Sequence, residues 1–148
     1  MSDASFDLAV RMAVYRRFAA TGERPSPEEI AAAVGGDVAT VLQAFRRLRR
    51  QRVLWLETDG TIRMAPPFSG VPTPHVVEAG DVRYFANCAW DALGIPAALG
   101  RPAVVRSRCE QSRDELVLEV GTEGPEPSSW LFHCLVPAAH WWDDLPFT

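Results

Sequence analysis

A cluster of prolines near the middle of the chain constrains the fold more than any other sequence feature. Proline lacks a backbone N–H and fixes φ, which disfavours it in the interior of a helix and in a central strand. We therefore predict a linker over 66–74, an N-terminal domain over 1–65 and a core domain over 75–148. The linker prolines are Pro66, Pro67, Pro72 and Pro74.

Ahead of this linker, apolar residues recur at helical spacing in three segments, 5–21, 27–34 and 38 to about 51. The sequence Ser-Pro-Glu-Glu at 26–29 is a capping box with proline at the first helical position. Asp37 is placed to cap the third helix. The first 51 residues are therefore predicted to be helical, with short turns between the helices.

The pattern then changes to that of a β-hairpin. Two β-prone runs, 53–56 and 61–64, flank Asp59-Gly60, a dipeptide typical of tight hairpin turns. Three helices followed by a two-stranded wing indicate a winged helix-turn-helix. We expect this arrangement for the N-terminal domain.

Beyond the linker, the sequence predicts a small antiparallel or mixed sheet with helices. The fold class is α+β, because helices and sheet are segregated along the chain. The alternation of Trp130 to Val136 favours a last strand, in which Cys134 shares a buried apolar face with Phe132. The predicted elements are strands at 75–78, 103–109, 115–120 and 130–136, a helix from about 82 to 93, and the start of a helix at 138–144.

Composition limits the classes of partner. The net charge is −4 and the pI is near 5.3, so the chain as a whole is not a polyanion-binding protein. No apolar run is long enough to cross a membrane, and the N-terminus lacks the pattern of a signal peptide. These features predict a cytoplasmic protein with no membrane association.

Basic residues cluster at the end of the third predicted helix, where they could neutralise DNA phosphates. The start of that helix, Asp37 to Thr40, offers little that reads base edges. Arginines near a helix C-terminus also complement its dipole. DNA is thus a candidate partner that the sequence does not favour. The cluster comprises Arg46, Arg47, Arg49, Arg50 and Arg52.

The three cysteines are predicted to be free thiols, because their number is odd and no secretion signal precedes them. No CxxC pair occurs, so we predict no structural zinc site. Cys109 is expected in the core of a strand, and so is Cys134. Cys134 is still the better candidate for a second soft-metal ligand beside Cys88.

Cys88 and Asp91 are the residues with the most suggestive chemistry. Three positions apart on a helix, they would project from one face about one turn apart. A thiolate captures a soft centre, and a nearby carboxylate accepts and delivers a proton. Spacing alone does not decide between this role and a structural one, since cysteine is often buried as a small hydrophobe and aspartate often caps helices.

The surroundings of this pair resemble the organomercurial (alkylmercury) lyase family over some forty residues. The matching motifs are Pro72-x-Pro74-His75, Tyr84-x-x-x-Cys88-Ala89-x-Asp91-Ala92-Leu93, Pro96-Ala97-x-Leu99-Gly100-Arg101 and Val105-x-Ser107-x-Cys109. The family also has a winged-helix-like region ahead of its core.

The resemblance implies protonolysis of a carbon–mercury bond. Cys88 would bind mercury as a thiolate, and Asp91 would protonate the leaving carbon and share the metal. No organic cofactor is implied, and free thiols would carry off the Hg(II) product. The family's second cysteine would fall at or just after Phe147-Thr148, where this sequence has none. The chain therefore resembles a lyase cut short before its second thiol, and mercurial binding with reduced turnover is one expected outcome.

Two other functions stay open at this stage. One is a non-mercury enzyme on the same scaffold that uses Cys88 and Asp91. The other is a ligand-sensing transcriptional regulator with a DNA-binding winged helix. The expected ligand is a small organic or organometallic molecule. Because an open sheet edge would allow a second copy to pair, the chain could be a monomer or a homodimer.

Overall fold

The computed structural model describes residues 3–147. Four α-helices and one short 3₁₀ helix form the helical structure of this range. None of them is long and apolar enough to cross a membrane. The α-helices are α1 (Asp3–Thr21), α2 (Pro27–Val34), α3 (Val38–Arg50) and α4 (Ala89–Leu99), and the 3₁₀ helix is Ala138–Asp143.

The helical predictions for the N-terminal part are confirmed, and the caps are the reason. The Ser26 side chain accepts from the Glu29 N–H, while the Glu29 carboxylate accepts from the Ser26 N–H at 2.8 Å. Asp37 accepts from the Thr40 N–H at 2.8 Å and so begins α3. Each cap satisfies backbone donors that the first helical turn leaves unpaired.

Eight antiparallel strands form one sheet within residues 3–147. Their spatial order is β1-β2-β3-β5-β4-β6-β7-β8. The fold is α+β, as predicted. The strands are β1 (Trp55–Leu56), β2 (Ile62–Ala65), β3 (Phe68–Ser69), β4 (His75–Ala79), β5 (Val82–Ala86), β6 (Ala103–Arg108), β7 (Glu115–Gly121) and β8 (Gly124–Pro125).

The hairpin β1–β2 is the edge of this sheet and is continuous with the rest of it. Phe68–Ser69, inside the range predicted as a linker, pairs with β2 on one side and with β5 on the other. Phe68 also stacks on Phe18 of α1, with ring centroids 5.4 Å apart. The division into domains at 66–74 and the winged-helix assignment both stay predictions.

The core lies between α1–α3 and the central strands, and it is one cluster. Tyr84 is fully buried and donates to the Ala19 carbonyl of α1 at 2.7 Å. At the end of α1, Gly22 has φ +73, and a Cβ there would meet the Arg83 carbonyl oxygen at 2.0 Å. Only glycine allows α1 to end so close to β5.

Two predicted elements beyond residue 80 are wrong. Val82–Ala86, predicted as the start of a helix, is strand β5, because pairing with β4 and β3 outweighs its local helical pattern. The helix begins at Ala89 and continues through Pro96, which is buried, to Leu99. The predicted strand 130–136 is an exposed coil, because it pairs with no strand in the described chain.

Candidate active site

Cys88 and Asp91 lie together where β5 leads into α4. Cys88 is the N-cap residue, with extended backbone at φ −144, so it precedes the helix and does not lie on its first turn as predicted. Asp91 lies in that first turn. The Cys88 thiol still donates to Oδ2 of Asp91 at 3.7 Å, because side chains at an N-cap and three residues later converge.

Of the groups at this site, the Asp91 carboxyl has the largest shift in pKa. Burial raises its pKa from 3.8 to about 6, and the hydrogen bond from Cys88 opposes that rise only in part. No arginine or histidine forms an ion pair with it among residues 3–147. A carboxyl with a pKa near 6 exchanges a proton readily at neutral pH, which suits a general acid or base.

The Cys88 thiol is held in its protonated form. Burial raises its pKa above the usual 9.0, and the negative charge of Asp91 raises it further. The backbone N–H groups of Asp91 and Trp90 oppose this by favouring the thiolate. A thiol in this form binds a soft metal only when its proton is displaced, and the Asp91 carboxyl is the proton-accepting group within hydrogen-bond distance of it.

Two contacts bring the C-terminal part of the chain next to this pair. Asn87, adjacent to Cys88, donates to the Leu145 carbonyl at 3.1 Å, and Leu145 is buried. The indole of Trp90 lies 5.7 Å from the ring of Phe132. Both rings are about half exposed, at 55% and 45%. They offer an apolar surface beside the thiol.

Further contacts around the site come from α1 and the proline segment. Tyr15 donates to the Pro66 carbonyl at 3.0 Å. Pro67 packs so closely on α4 that a Cβ at Gly94 would lie 3.3 Å from it. Burial raises the pKa of Tyr15, with a further contribution from the charge of Asp91, which places the phenol within electrostatic reach of that carboxylate. Sequence patterns gave no signal for Tyr15.

The other two thiols are not brought to the Cys88–Asp91 pair by any contact in the structure. Cys134 is exposed and donates to the Val136 carbonyl at 2.7 Å, so its predicted burial on a strand is wrong. Cys109 is half-buried in the turn after β6, where the Ser112 side chain and N–H lower its pKa. Within the described chain, no three histidine, cysteine or acidic side chains form a group suited to a metal.

His75 is accounted for by a local contact, with Nδ1 2.7 Å from the hydroxyl of Ser107. Burial lowers its pKa, which favours the neutral ring. Within the arginine cluster, Arg47 points inward and makes a bidentate pair with Asp7, at 2.6 and 2.9 Å. The other four arginines of the cluster are exposed.

Comparisons with known proteins identify the family to which this chain belongs. The family model for MerB, alkylmercury lyase, matches residues 68–147. An alkylmercury lyase from Pseudomonas putida is 37% identical over 70 residues, covering 45% of this chain and 33% of that protein. One from Staphylococcus epidermidis is 30% identical over 121 residues, covering 80% of this chain and 54% of that protein.

A crystal structure of the mercury-bound form of MerB2 has the same fold. It has a TM-score of 0.64 and 18% identity, over 86% of this chain and 66% of that one. The chain spans a third to about half of the length of the two curated relatives. With the family model matching more than half of its residues, the chain belongs to the alkylmercury lyase family.

Proposed function

We propose that this chain cleaves carbon–mercury bonds by protonolysis, with Cys88 as the mercury-binding thiolate and Asp91 as the proton carrier. The observation that carries the proposal is the 3.7 Å contact between the Cys88 thiol and an Asp91 carboxyl with a pKa near 6. Family membership supports the substrate class. A soft thiolate is also the ligand that mercury prefers.

The first step transfers the thiol proton. An organomercurial R–Hg–X approaches Cys88, and the proton moves from Sγ to the Asp91 carboxylate as sulfur bonds to mercury and X leaves with its electron pair. Asp91 must therefore be ionised at the start. Because the two side chains are already hydrogen bonded, this transfer needs no rearrangement of the backbone.

The second step returns that proton to the substrate. The Asp91 carboxylic acid protonates the carbon bonded to mercury, the C–Hg electron pair becomes the new C–H bond, and the hydrocarbon R–H leaves. Mercury stays on the Cys88 sulfur as Hg(II), next to the regenerated Asp91 carboxylate. Two free thiols then remove it as a dithiolate, so no other cofactor takes part.

The aromatic pair of Trp90 and Phe132 supports a place for the organic group R. The two rings form an exposed apolar surface, and Trp90 lies two residues from Cys88 and one from Asp91 along the chain. Cys134 lies two residues beyond Phe132 in the same coil segment. We propose Cys134 as a second thiol that helps to hold Hg(II) before its release.

The test is the release of benzene from phenylmercury in the presence of excess free thiol. We expect wild type to release benzene, and Cys88→Ala and Asp91→Asn each to reduce the rate at least about 100-fold. Cys109→Ala is the matched control and should leave the rate unchanged. Cys134→Ala should leave benzene release intact and shorten the retention of Hg(II). No benzene from wild type, or the same rate from Cys88→Ala, would overturn the proposal.

The same assay separates this proposal from a non-mercury enzyme that uses the same pair. Such an enzyme would bind phenylmercury through Cys88, because any accessible thiol does so, yet would release no benzene. Mass spectrometry of the intact protein measures the first event, and gas chromatography of the headspace measures the second. Binding without benzene therefore favours the non-mercury enzyme.

A further inference from the structure

An open cleft at the end of α3 is lined by arginines and tryptophans that take no part in the proposed lyase chemistry. It has a volume of about 570 Å³, and neither Cys88 nor Asp91 lines it. It lies between α3, strand β1 and the C-terminal 3₁₀ helix. Its lining residues are Arg46, Arg49, Arg50, Arg52, Trp55, Leu56, Trp142 and Asp143.

The four guanidinium groups of this cleft have no anionic partner among residues 3–147. None of them forms an ion pair with a carboxylate anywhere in residues 3–147, whereas Arg47, from the same helix, is paired with Asp7. Asp143, the one acid in the lining, lies 3.0 Å from His140. In a chain with net charge −4, four unpaired arginines around one cleft are a concentrated positive field.

The backbone at Arg52, at the end of α3, adopts an unusual conformation. Arg52 has φ +60, a left-handed conformation that glycine normally supplies after a helix. The Arg52 N–H donates to the Arg49 carbonyl at 3.0 Å, and the Val53 N–H donates to the Leu48 carbonyl at 2.9 Å. An arginine at this position is strained, and the two hydrogen bonds are those that close the C-terminal end of α3.

Aromatic rings form the other wall of the cleft. The guanidinium of Arg49 lies 5.2 Å from the Trp55 ring centroid, and Trp142 lies 6.4 Å from Trp55. Trp142 belongs to the C-terminal 3₁₀ helix, so two separate parts of the chain line this cleft. A concave site of this volume fits a small ligand better than the flat backbone of a duplex.

We propose that this cleft binds a small multivalent oxyanion of the phosphate-ester class, with the guanidiniums on the phosphates and the indoles beside the remainder of the ligand. Guanidinium groups carry a permanent positive charge and bind phosphate oxygens in bidentate geometry. The half-buried indoles of Trp55 and Trp142 can accept a planar ring by stacking. Inorganic pyrophosphate and ATP distinguish a site for the bare anion from one that also uses the rings.

The experiment is a titration of the full chain with pyrophosphate, with ATP and with a random-sequence DNA duplex. Binding is followed by calorimetry and by tryptophan fluorescence. We expect saturable binding of pyrophosphate or ATP, and tighter binding of ATP if the rings take part. Arg50→Gln should weaken binding about tenfold. Arg16→Gln, which removes the same charge from an exposed arginine on α1, should have no effect.

A second variant separates binding from folding. Arg52→Gly removes one guanidinium but relieves the left-handed strain, so it should weaken anion binding while the melting temperature stays equal or rises. Absence of binding by both small anions, equal weakening by Arg16→Gln, or steeply salt-dependent binding of DNA alone would overturn the proposal. Cys88→Ala should bind the anion as wild type does, so this result is independent of lyase activity.

Discussion

Asp7 and Asp91 are both shielded from solvent, but Asp7 is bound by a cation and Asp91 by a thiol. Asp7 is 5% exposed and is bound by the Arg47 guanidinium through bonds of 2.6 and 2.9 Å. Asp91 is also largely buried, but its partner is the neutral thiol of Cys88. The hydrogen bond from Asp7 holds the pKa of Arg47 above its usual value, whereas burial without a cation raises the pKa of Asp91 to about 6.

The presence or absence of a cation distinguishes a carboxylate that stabilises the fold from one that can exchange a proton. A buried carboxylate with a cation forms an ion pair that joins two elements, here the helices α1 and α3. A buried carboxylate without a cation costs stability when ionised and gives a proton acceptor and donor that works near neutral pH. Enzymes commonly accept such a cost at the residues that react.

Removal of the cation from the first pair should have the largest effect on stability. Arg47→Met leaves Asp7 buried without a partner, so we expect the free energy of unfolding to fall by about 3 kcal/mol. Urea unfolding followed by circular dichroism measures this. The double variant Asp7→Asn with Arg47→Met should recover part of the loss.

An exposed ion pair is the matched control for that prediction. Arg17 and Glu29 are 3.1 Å apart, with side chains 34% and 49% exposed. Arg17→Met should therefore cost less than about 1 kcal/mol. An equal loss from both arginine variants would show that burial of the Asp7–Arg47 pair has no special weight.

Neutralisation of the second carboxyl should have the opposite sign. The pKa of Asp91 is raised in the folded protein, so its ionised form destabilises the fold above pH 6 and this penalty is absent below about pH 4. Asp91→Asn should therefore stabilise the protein by about 2 kcal/mol at pH 8 and by nothing near pH 4. Urea unfolding at the two pH values tests this, and a destabilised Asn variant at pH 8 would contradict it.

In the mechanism that we propose, the same shift in pKa sets the acid limb of the activity profile. Asp91 must be ionised to take the Cys88 proton, so kcat/KM for phenylmercury should fall about tenfold per pH unit below about pH 6. The limb should be absent from the residual activity of Asp91→Asn. A profile that stays flat down to pH 4.5 would indicate that Asp91 is not the acceptor.

How far the sequence predicted these features depends on how local their causes are. α2 and α3 were predicted with their caps, because Ser26, Glu29 and Asp37 act within one turn. β5 was missed because its strand character comes from pairing with β3 and β4. The exposed coil at 130–136 was mistaken for a strand, since alternation does not reveal whether a partner strand lies alongside.

In the candidate site, too, features with local causes were predicted and features with long-range causes were not. Cys88 and Asp91 were identified from spacing and family motifs, although their place at the helix N-terminus was not. Tyr15 was missed because it lies 76 positions before Asp91 and is brought near it only by the packing of α1 on the proline segment. Leu145 approaches Asn87 in the same long-range way.

The most direct test of this account is a pH titration of the Asp91 carboxyl carbon by ¹³C NMR in the wild-type protein. We expect a midpoint near pH 6, because burial without a cation raises this pKa. Asp37, whose pKa is lowered by the hydrogen bond from the Thr40 N–H, is the reference in the same spectrum. A midpoint for Asp91 at the ordinary value of 3.8 would contradict the account, because burial would then not raise this pKa and the carboxylate would be too weak a base to take the Cys88 proton.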